Sequence, residues 1–189
     1  YLDIGKANLA KKALKLALDQ HPNSFGLKLV QVEMYIYDEK LDLAEKMLNE
    51  LHALEPRNEE IYIQRATIFS KRNQHEKAIE NLKIALAYTD DKPDVFNLLG
   101  MEYLFMDNLE DAKYNFMKCL EEDYEDQTAL YNVVYCFEFL DQNEDAIVYL
   151  EQYIDQNPYS EIAWHQLGRL NYGLKKYDAA LRAFDYATL

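Results

Sequence analysis

The side chains in this sequence that could do chemistry are spaced in ways that fit no familiar catalytic or metal-binding pattern. Cys119 and Cys136 stand 17 positions apart, without a CxxC pair or a neighbouring pair of histidines, which indicates neither a zinc site nor a redox motif. The four histidines fall in separate parts of the chain: His21, His52, His75 and His165. HExxH, a nucleophile elbow, a P-loop and GxGxxG are all missing from the sequence. We therefore expect no enzymatic activity, no metal site and no cofactor.

The chain as a whole has a net charge of −14, and its acidic residues are concentrated in the second half. Residues 90–161 hold 19 acidic and 3 basic residues, whereas the rest of the chain holds 15 and 17. Two interpretations remain open: a solvated outer surface that maintains solubility, or a surface that attracts a basic partner. Nucleic acid is not an expected partner in either case, because binding its phosphates depends on Lys and Arg.

The strongest pattern is a period of 34 residues, marked by alanines that recur without insertion or deletion. The series is Ala10, Ala44, Ala78, Ala112, Ala146 and Ala180. A large apolar residue follows four positions after each of the last five: Leu48, Leu82, Phe116, Leu150 and Phe184. Residues four apart share one face of a helix, so the pattern predicts a recurring helix with a small and a large residue on its packed face. Both cysteines also occupy apolar helix positions and are expected in the core.

Residues 160–189 read SEIAWHQLGRLNYGLKKYDAALRAFDYATL. They place Trp164, Leu167 and Gly168, and then Ala180, Phe184 and Ala187, in the order of the tetratricopeptide repeat (TPR) signature. With the alanine series, the chain resembles a TPR protein from end to end. The resemblance implies an all-α fold, a right-handed superhelix (α-solenoid) of antiparallel helix pairs with about eleven helices, in which each repeat contacts only its neighbours.

The period predicts a single array of one half repeat and five full repeats. The half repeat covers 1–24, with one helix at 3–20, and the full repeats cover 25–58, 59–92, 93–126, 127–160 and 161–189. Each full repeat should contain helix A in its first half, a short turn, and then helix B. The turns carry Asp38, Asn73, Asp107, Asp141 and Lys175 instead of glycine, so we expect them to be less uniform than in an idealised repeat. The chain begins in mid-repeat at Tyr1, and we expect it to be a fragment of a longer protein.

The quality of the match varies along the chain. It is best in 93–126, and it is poorest in helix A of 25–58, where Gln31 and Val32 replace the Leu-Gly pair. Asn58 and Pro93 are placed to start helices, because Asn is a good N-cap and Pro is tolerated in the first turn.

The resemblance also implies a binding surface, because A helices line the concave side of a TPR array. The predicted peptide-binding groove consists of Asn97, Met101, Phe105, Tyr131, Tyr135, Phe139, His165 and Arg169. Two interpretations of its aromatic residues remain open: they pack on one another, or they form an exposed apolar strip for a peptide. We expect Arg169 to stack on a tyrosine or to receive a carboxylate.

One family-specific site can be compared by position. Many TPR domains hold the C-terminal carboxylate of chaperone tails with a set of Lys, Asn and Arg residues on three A helices. Of that set, only Asn132 and Arg169 are present here, in separate repeats. We therefore predict no binding of chaperone tails.

The predicted function is a non-enzymatic scaffold that binds a peptide or protein segment in the concave groove. The alternative is a structural spacer or assembly arm for a domain outside this sequence. The expected partner is a protein or peptide, with basic flanks if the acidic surface takes part; truncated end helices also favour end-to-end self-association. No apolar run approaches the roughly 18 residues that span a bilayer, so we expect no membrane span. A cytoplasmic location is expected, although a signal peptide could lie upstream of this fragment.

Overall fold

The structure is a computed structural model that describes residues 7–188. Within that range it contains eleven α-helices and no β-strand, which confirms the predicted all-α fold. The helices are α1 (Ala7–Gln20), α2 (Phe25–Tyr37), α3 (Leu41–Leu54), α4 (Glu59–Lys71), α5 (His75–Leu86), α6 (Lys92–Phe105), α7 (Leu109–Glu122), α8 (Gln127–Phe139), α9 (Asn143–Gln156), α10 (Glu161–Gly173) and α11 (Tyr177–Tyr186). The first helix was predicted at 3–20, and its residues 3–6 lie outside the described range.

The chain divides into two compact units, residues 1–90 and residues 91–189. The first unit contains α1–α5 and the second contains α6–α11. Within each unit, helices joined by a short turn pack as pairs: α2 with α3, α4 with α5, α6 with α7, α8 with α9, and α10 with α11. These pairs match the predicted A and B helices. That all the repeats form one continuous array remains a prediction.

The recurring alanines belong to the packed faces of the B helices. Five of them are buried: Ala44, Ala78, Ala112, Ala146 and Ala180. Ala10 is only partly buried, and no A helix precedes it among the described residues. Of the large residues one turn later, four are buried and Phe184 is partly exposed. The predicted register is therefore correct, and each B helix packs through a small residue and the large one that follows it.

The size of one residue on helix A depends on the size of the large residue that faces it on helix B. The pairs are Val32 with Leu48, Ala66 with Leu82, Gly100 with Phe116, Val134 with Leu150 and Gly168 with Phe184. A Cβ atom added to Gly100 would lie 2.6 Å from the Phe116 ring, and one added to Gly168 would lie 2.6 Å from the Phe184 ring. Phenylalanine on helix B therefore requires glycine on helix A, whereas leucine leaves room for alanine or valine. This relation explains why Val32 is accommodated in the repeat that departs most from the TPR pattern.

We predict that Gly100→Ala destabilises the chain by about 1–3 kcal/mol, because the new methyl group would overlap the Phe116 ring. Phe116→Leu alone should also destabilise, because it removes buried volume. Together the two changes recreate the combination of Ala66 and Leu82, and the double variant should lose less free energy of unfolding than the sum of the single losses. Urea unfolding of the parent and the three variants measures this coupling. Strictly additive losses would contradict the volume relation.

The turns between A and B helices are uniform, which corrects the expectation of irregular turns. Each has one residue with a left-handed backbone, at φ between 55° and 61°: Glu39, Asn73, Asp107, Asp141 and Lys175. The first of these is Glu39 and not Asp38, so the predicted position in that turn was wrong by one residue. Each turn has the two hydrogen bonds of a Schellman motif, as in Lys40 N–H to Tyr35 O at 2.8 Å and Glu39 N–H to Ile36 O at 3.1 Å. The backbone bonds thus fix the turn without glycine.

Lys175 has the least suitable side chain for its backbone, because only glycine, and to a lesser degree Asn and Asp, adopts a left-handed conformation readily. We predict that Lys175→Gly raises the free energy of unfolding by about 0.5–1 kcal/mol, and that Asp107→Gly gains less. The matched control is Lys176→Gly, since Lys176 has a φ of −86° and gains nothing from glycine's freedom. Thermal and urea unfolding compare the three variants. A gain in Lys176→Gly equal to that in Lys175→Gly would contradict the assignment of strain.

The loops that lead from a B helix to the next A helix are held by aromatic donors. The Tyr62 hydroxyl donates to the Pro56 carbonyl at 2.8 Å, and Trp164 Nε1 donates to the Pro158 carbonyl at 2.8 Å. At the corresponding loop of repeat 93–126 the carbonyl is that of Tyr124, and the Tyr153 hydroxyl donates to it from α9. Aromatic N–H and O–H groups thus satisfy the same backbone acceptor in three loops.

Helix starts agree only in part with the sequence. Pro93 lies in the first turn of α6, as predicted. Asn58 is the N-cap residue of α4, but it makes no capping hydrogen bond there. Its side-chain amide donates instead to Glu55, at 3.1 Å. The expectation that Asn58 caps its helix was therefore wrong in its chemistry.

Candidate functional site

The predicted groove residues lie on three A helices of the second unit: α6, α8 and α10. Phe105, Tyr131 and Phe139 are exposed, at 58%, 55% and 64% of their surfaces. The other faces of α8 are buried and contain Leu130, Val133, Val134 and Phe137. The helix therefore has apolar side chains both on its buried faces and on its exposed face. An exposed apolar face on an otherwise buried helix is unusual for a solvated surface.

The aromatic residues of α8 combine the two interpretations left open by the sequence. The rings of Tyr135 and Phe139 pack on each other, with centroids 4.3 Å apart, and Tyr135 is half-buried. Phe139 still exposes most of its surface, as does Tyr131 one turn before Tyr135. The contact between these two rings therefore leaves most of Phe139 uncovered. We call the three exposed residues Phe105, Tyr131 and Phe139 the aromatic strip.

Arg169 is already paired with a carboxylate of this chain. Its guanidinium donates two hydrogen bonds of 2.7 Å to the Glu138 carboxylate and two more, of 2.9 and 2.7 Å, to Gln166 Oε1. The hydrogen bonds with Glu138 raise the pKa of Arg169 above its ordinary value. A bidentate pair of this kind spans α8 and α10 and fixes the arginine's plane. An incoming carboxylate would have to replace Glu138.

Asn97, another predicted groove residue, is hydrogen-bonded within the chain. It is partly buried, and its amide nitrogen donates to Asp126 Oδ2. Asp126 in turn accepts a hydrogen bond from Ala129 N–H at the start of α8. Asn97 thus positions the loop before α8, while its neighbour on the same face, Met101, lies at the edge of exposure and contacts Asn132 at 3.9 Å.

Tyr131 and His165 meet at a hollow of about 440 Å³ in the second unit. The other lining residues are Gln127, Glu161, Ile162, Gln166, Phe184, Ala187 and Thr188. The Phe184 ring lies 5.7 Å from the His165 ring, centroid to centroid, and forms the apolar wall. The sequence prediction missed Ile162 and Phe184 at this site. The sequence analysis placed Phe184 on the packed face of its helix. Its partial exposure on α11 is what makes it available to a ligand in the hollow.

The residues that line this hollow on α11 have buried counterparts one repeat earlier. Shifted back by one repeat of 34 residues, Phe184 corresponds to Leu150 and Thr188 to Ile154. Leu150 and Ile154 are buried at 0% and 5% exposure, and α10 packs against their helix. Phe184 and Thr188, at the corresponding positions of the last repeat, line the hollow.

No metal site or membrane-crossing segment is found in the part of the chain that the structure describes. Histidine, cysteine and carboxylate side chains do not gather in any group of three that could hold an ion in residues 7–188. No helix within the same range is both long and apolar enough to cross a bilayer.

The two cysteines are core residues, as predicted, and both are free thiols. Burial raises the pKa of Cys119 to about 12, with the Asp126 carboxylate adding to the effect, and burial raises the pKa of Cys136 to about 11. Because the thiolate is the nucleophile, neither sulfur is suited to catalysis at neutral pH.

We predict that a disulfide reagent at pH 8 labels neither cysteine in the folded chain and labels both in urea. A raised thiol pKa stabilises the fold fully below the unfolded pKa of about 8.5, and this contribution declines as pH rises through and above that value. The free energy of unfolding should therefore fall above about pH 9. Rapid labelling of either thiol in the folded chain would contradict the burial described here.

Antiparallel helix pairs of constant period, interlocked through small and large residues, define the chain as a helical-repeat protein. Two family models, each described as a tetratricopeptide repeat, match residues 93–126 and 128–160. These two matches confirm the predicted resemblance to the tetratricopeptide repeat family over residues 93–160. No curated protein sequence matches it significantly.

Solved structures of TPR proteins are similar to this chain in fold. PilF of Pseudomonas aeruginosa has a TM-score of 0.70 and 20% identity, over 97% of this chain and 83% of its own. MamA has a TM-score of 0.63 and 18% identity, over 83% and 92% of the two chains. YrrB, described as a TPR protein with an unusual peptide-binding site, has a TM-score of 0.62 and 15% identity, over 93% and 90%. At these identities the likeness shows the fold alone.

Proposed function

We propose that this chain is a non-enzymatic scaffold that binds a peptide or protein segment on the exposed face of α6, α8 and α10. The observation that carries the proposal is the aromatic strip, which stays exposed on helices whose other faces are buried. Tetratricopeptide repeats generally act as protein-interaction modules, and the described peptide-binding site of YrrB is an instance in a protein of similar fold.

The strip has the composition of a binding surface. Phenylalanine and tyrosine supply large contact areas at a low cost in side-chain entropy, and a tyrosine hydroxyl can remain hydrated at the rim. A partner that covers Phe105, Tyr131 and Phe139 would remove their apolar surfaces from water. We expect these contacts to supply most of the affinity.

The hollow beside Tyr131 and His165 gives the partner an anchor. Its volume of about 440 Å³ lies within the roughly 300–1,000 Å³ of ligand clefts. Ile162 and Phe184 provide apolar walls, so a large apolar side chain of the partner is the expected occupant. Anchors of this kind commonly dominate the binding energy of an interface.

Charge favours a partner with basic flanks. Arg169 is neutralised by Glu138, and Glu161 lines the hollow as a carboxylate. Residues 91–189 contain 20 acidic and 7 basic residues, against 14 and 13 in residues 1–90. We expect rim charges to govern the association rate and its salt dependence more than the affinity.

The alternative is a structural spacer or assembly arm. A spacer has no need for an exposed aromatic strip on the A helices, and the strip therefore favours the scaffold. End-to-end association through the exposed face of α11, where Tyr177 and Leu181 are 58% and 63% exposed, stays a separate expectation.

Selection of peptides from a displayed library on the immobilised chain tests the proposal. We predict selected sequences with one or two large apolar residues flanked by Lys or Arg. Tyr131→Ala combined with Phe139→Ala should weaken their binding by about 2 kcal/mol or more, the range of hot-spot truncations. Both residues are exposed, so the helical fold should survive, which circular dichroism would verify.

The matched control is Tyr114→Ala with Val148→Ala, which removes 58% and 51% exposed side chains from the B helices α7 and α9. It should leave peptide affinity within about twofold of the parent, since small surface changes away from a site cost little. Equal binding by the parent and the Tyr131/Phe139 variant, or equal losses in both double variants, would overturn the groove as the binding site.

A further inference from the structure

A second hollow, of about 420 Å³, lies in the second unit where the α7–α8 and α9–α10 loops come together. Its aromatic lining is Tyr124, Tyr153 and Tyr159, and Pro158 adds an apolar wall. The polar lining comes from Glu125, Gln127, Gln156, Asn157 and Ser160. None of these residues belongs to the predicted groove, although Gln127 also lines the hollow beside Tyr131 and His165.

Tyr153 builds this hollow by departing from the repeat. Shifted by 34 residues it corresponds to Cys119 and Ala85, both fully buried small residues. The phenol cannot fit in that space and extends toward the preceding loop, where its hydroxyl donates to the Tyr124 carbonyl. Burial raises the pKa of Tyr153, which keeps the hydroxyl protonated as a donor. The bond ties α9 to the α7–α8 loop and fixes one wall.

Acidic residues surround the hollow in the sequence, and Asp123, Glu125 and Asp126 act electrostatically on Tyr153. No Lys or Arg occurs between Lys118 and Arg169, and 12 Asp and Glu residues occur in that interval. Glu125 lines the hollow itself, and Asp123 and Asp126 flank it in the chain. No basic residue in this interval is available to neutralise them, in contrast to the pairing of Arg169 with Glu138 elsewhere in the unit.

We propose that this hollow binds an arginine side chain of a partner protein. Tyrosine faces attract a cation through the ring quadrupole, and a guanidinium stacks on such faces while its five N–H groups donate in its plane. The Glu125 carboxylate and the amide groups of Gln127 and Asn157 supply acceptors at the wall. Lysine fits less well, because its ammonium is a compact, strongly hydrated charge without a planar face.

The proposal does not depend on the aromatic strip of the A helices. It assigns a separate contact to the loop edge of the second unit, so each surface can fail or succeed alone. Tyr159 lies in the loop before α10 and is 95% exposed, so its ring is accessible to a bound side chain.

The test is a titration of the ¹⁵N-labelled chain with acetyl-Gly-Arg-Gly-amide, followed by amide chemical shifts. The comparison peptides carry citrulline, the neutral isostere of arginine, or lysine in the central position. We expect saturable shifts clustered at residues 124–127 and 156–160, with binding about tenfold weaker for citrulline and about threefold weaker for lysine.

Two variants probe the site without endangering the fold, because both residues are exposed: Tyr159→Ala and Glu125→Gln. Each should weaken the arginine peptide by about threefold or more. The matched controls are Tyr114→Ala and Glu151→Gln, an exposed tyrosine and an exposed carboxylate on α7 and α9, and they should leave binding unchanged. Tyr131→Ala with Phe139→Ala should also leave it unchanged, which separates this site from the groove.

Three results would overturn the proposal. One is an equal response to arginine and citrulline or lysine, because the guanidinium would then not be what is recognised. Another is a set of shifts spread over the whole acidic interval and unaffected by Tyr159→Ala and Glu125→Gln. The third is the absence of any saturable shift with the arginine peptide.

Discussion

The volume shared by two facing residues, one on each helix of a pair, is the constraint on which this structure depends. Where helix B carries phenylalanine, as at Phe116 and Phe184, helix A approaches with glycine; where it carries leucine, helix A carries alanine or valine. Because the interior is closely packed, the combined volume of the two facing residues matters more than the volume of either one. The facing residues of a pair therefore have to be considered together, and the A-helix residue follows from the B-helix residue opposite it.

Two further devices keep the repeats alike despite different side chains. Schellman bonds close each A–B turn at the same left-handed residue, whether it is Asn, Asp, Glu or Lys. Aromatic donors hold the loops into the next repeat, and Tyr153 performs from α9 the role that Tyr62 and Trp164 perform from A helices. Backbone acceptors are therefore satisfied by whichever neighbour can reach them. Tyr153, which stands where the two preceding repeats have a small residue, also lines a hollow between two loops.

The sequence predicted the helices, their pairing and the alanine register, because these follow from periodicity, a property of single positions. It did not predict what depends on two positions. Val32 was taken as a departure from the family pattern, although Leu48 opposite it makes room. Arg169 was expected to stack on a tyrosine or to receive a carboxylate, but nothing in a linear pattern shows that Glu138 on the preceding A helix lies within 2.7 Å of it. The hollow beside Phe184 depends on which helix faces remain uncovered, which is a property of the assembled unit.

The uneven charge of the two units has a consequence for how each responds to its medium. Residues 91–189 contain 20 acidic and 7 basic residues on six helices and their loops, so folding brings like charges together, whereas residues 1–90 are nearly balanced. Self-repulsion of this kind opposes compaction and is relieved by screening. Ionic strength therefore acts as a selective stabiliser of the acidic unit and leaves the balanced unit almost indifferent, so that one polypeptide contains both a salt-sensitive and a salt-insensitive half.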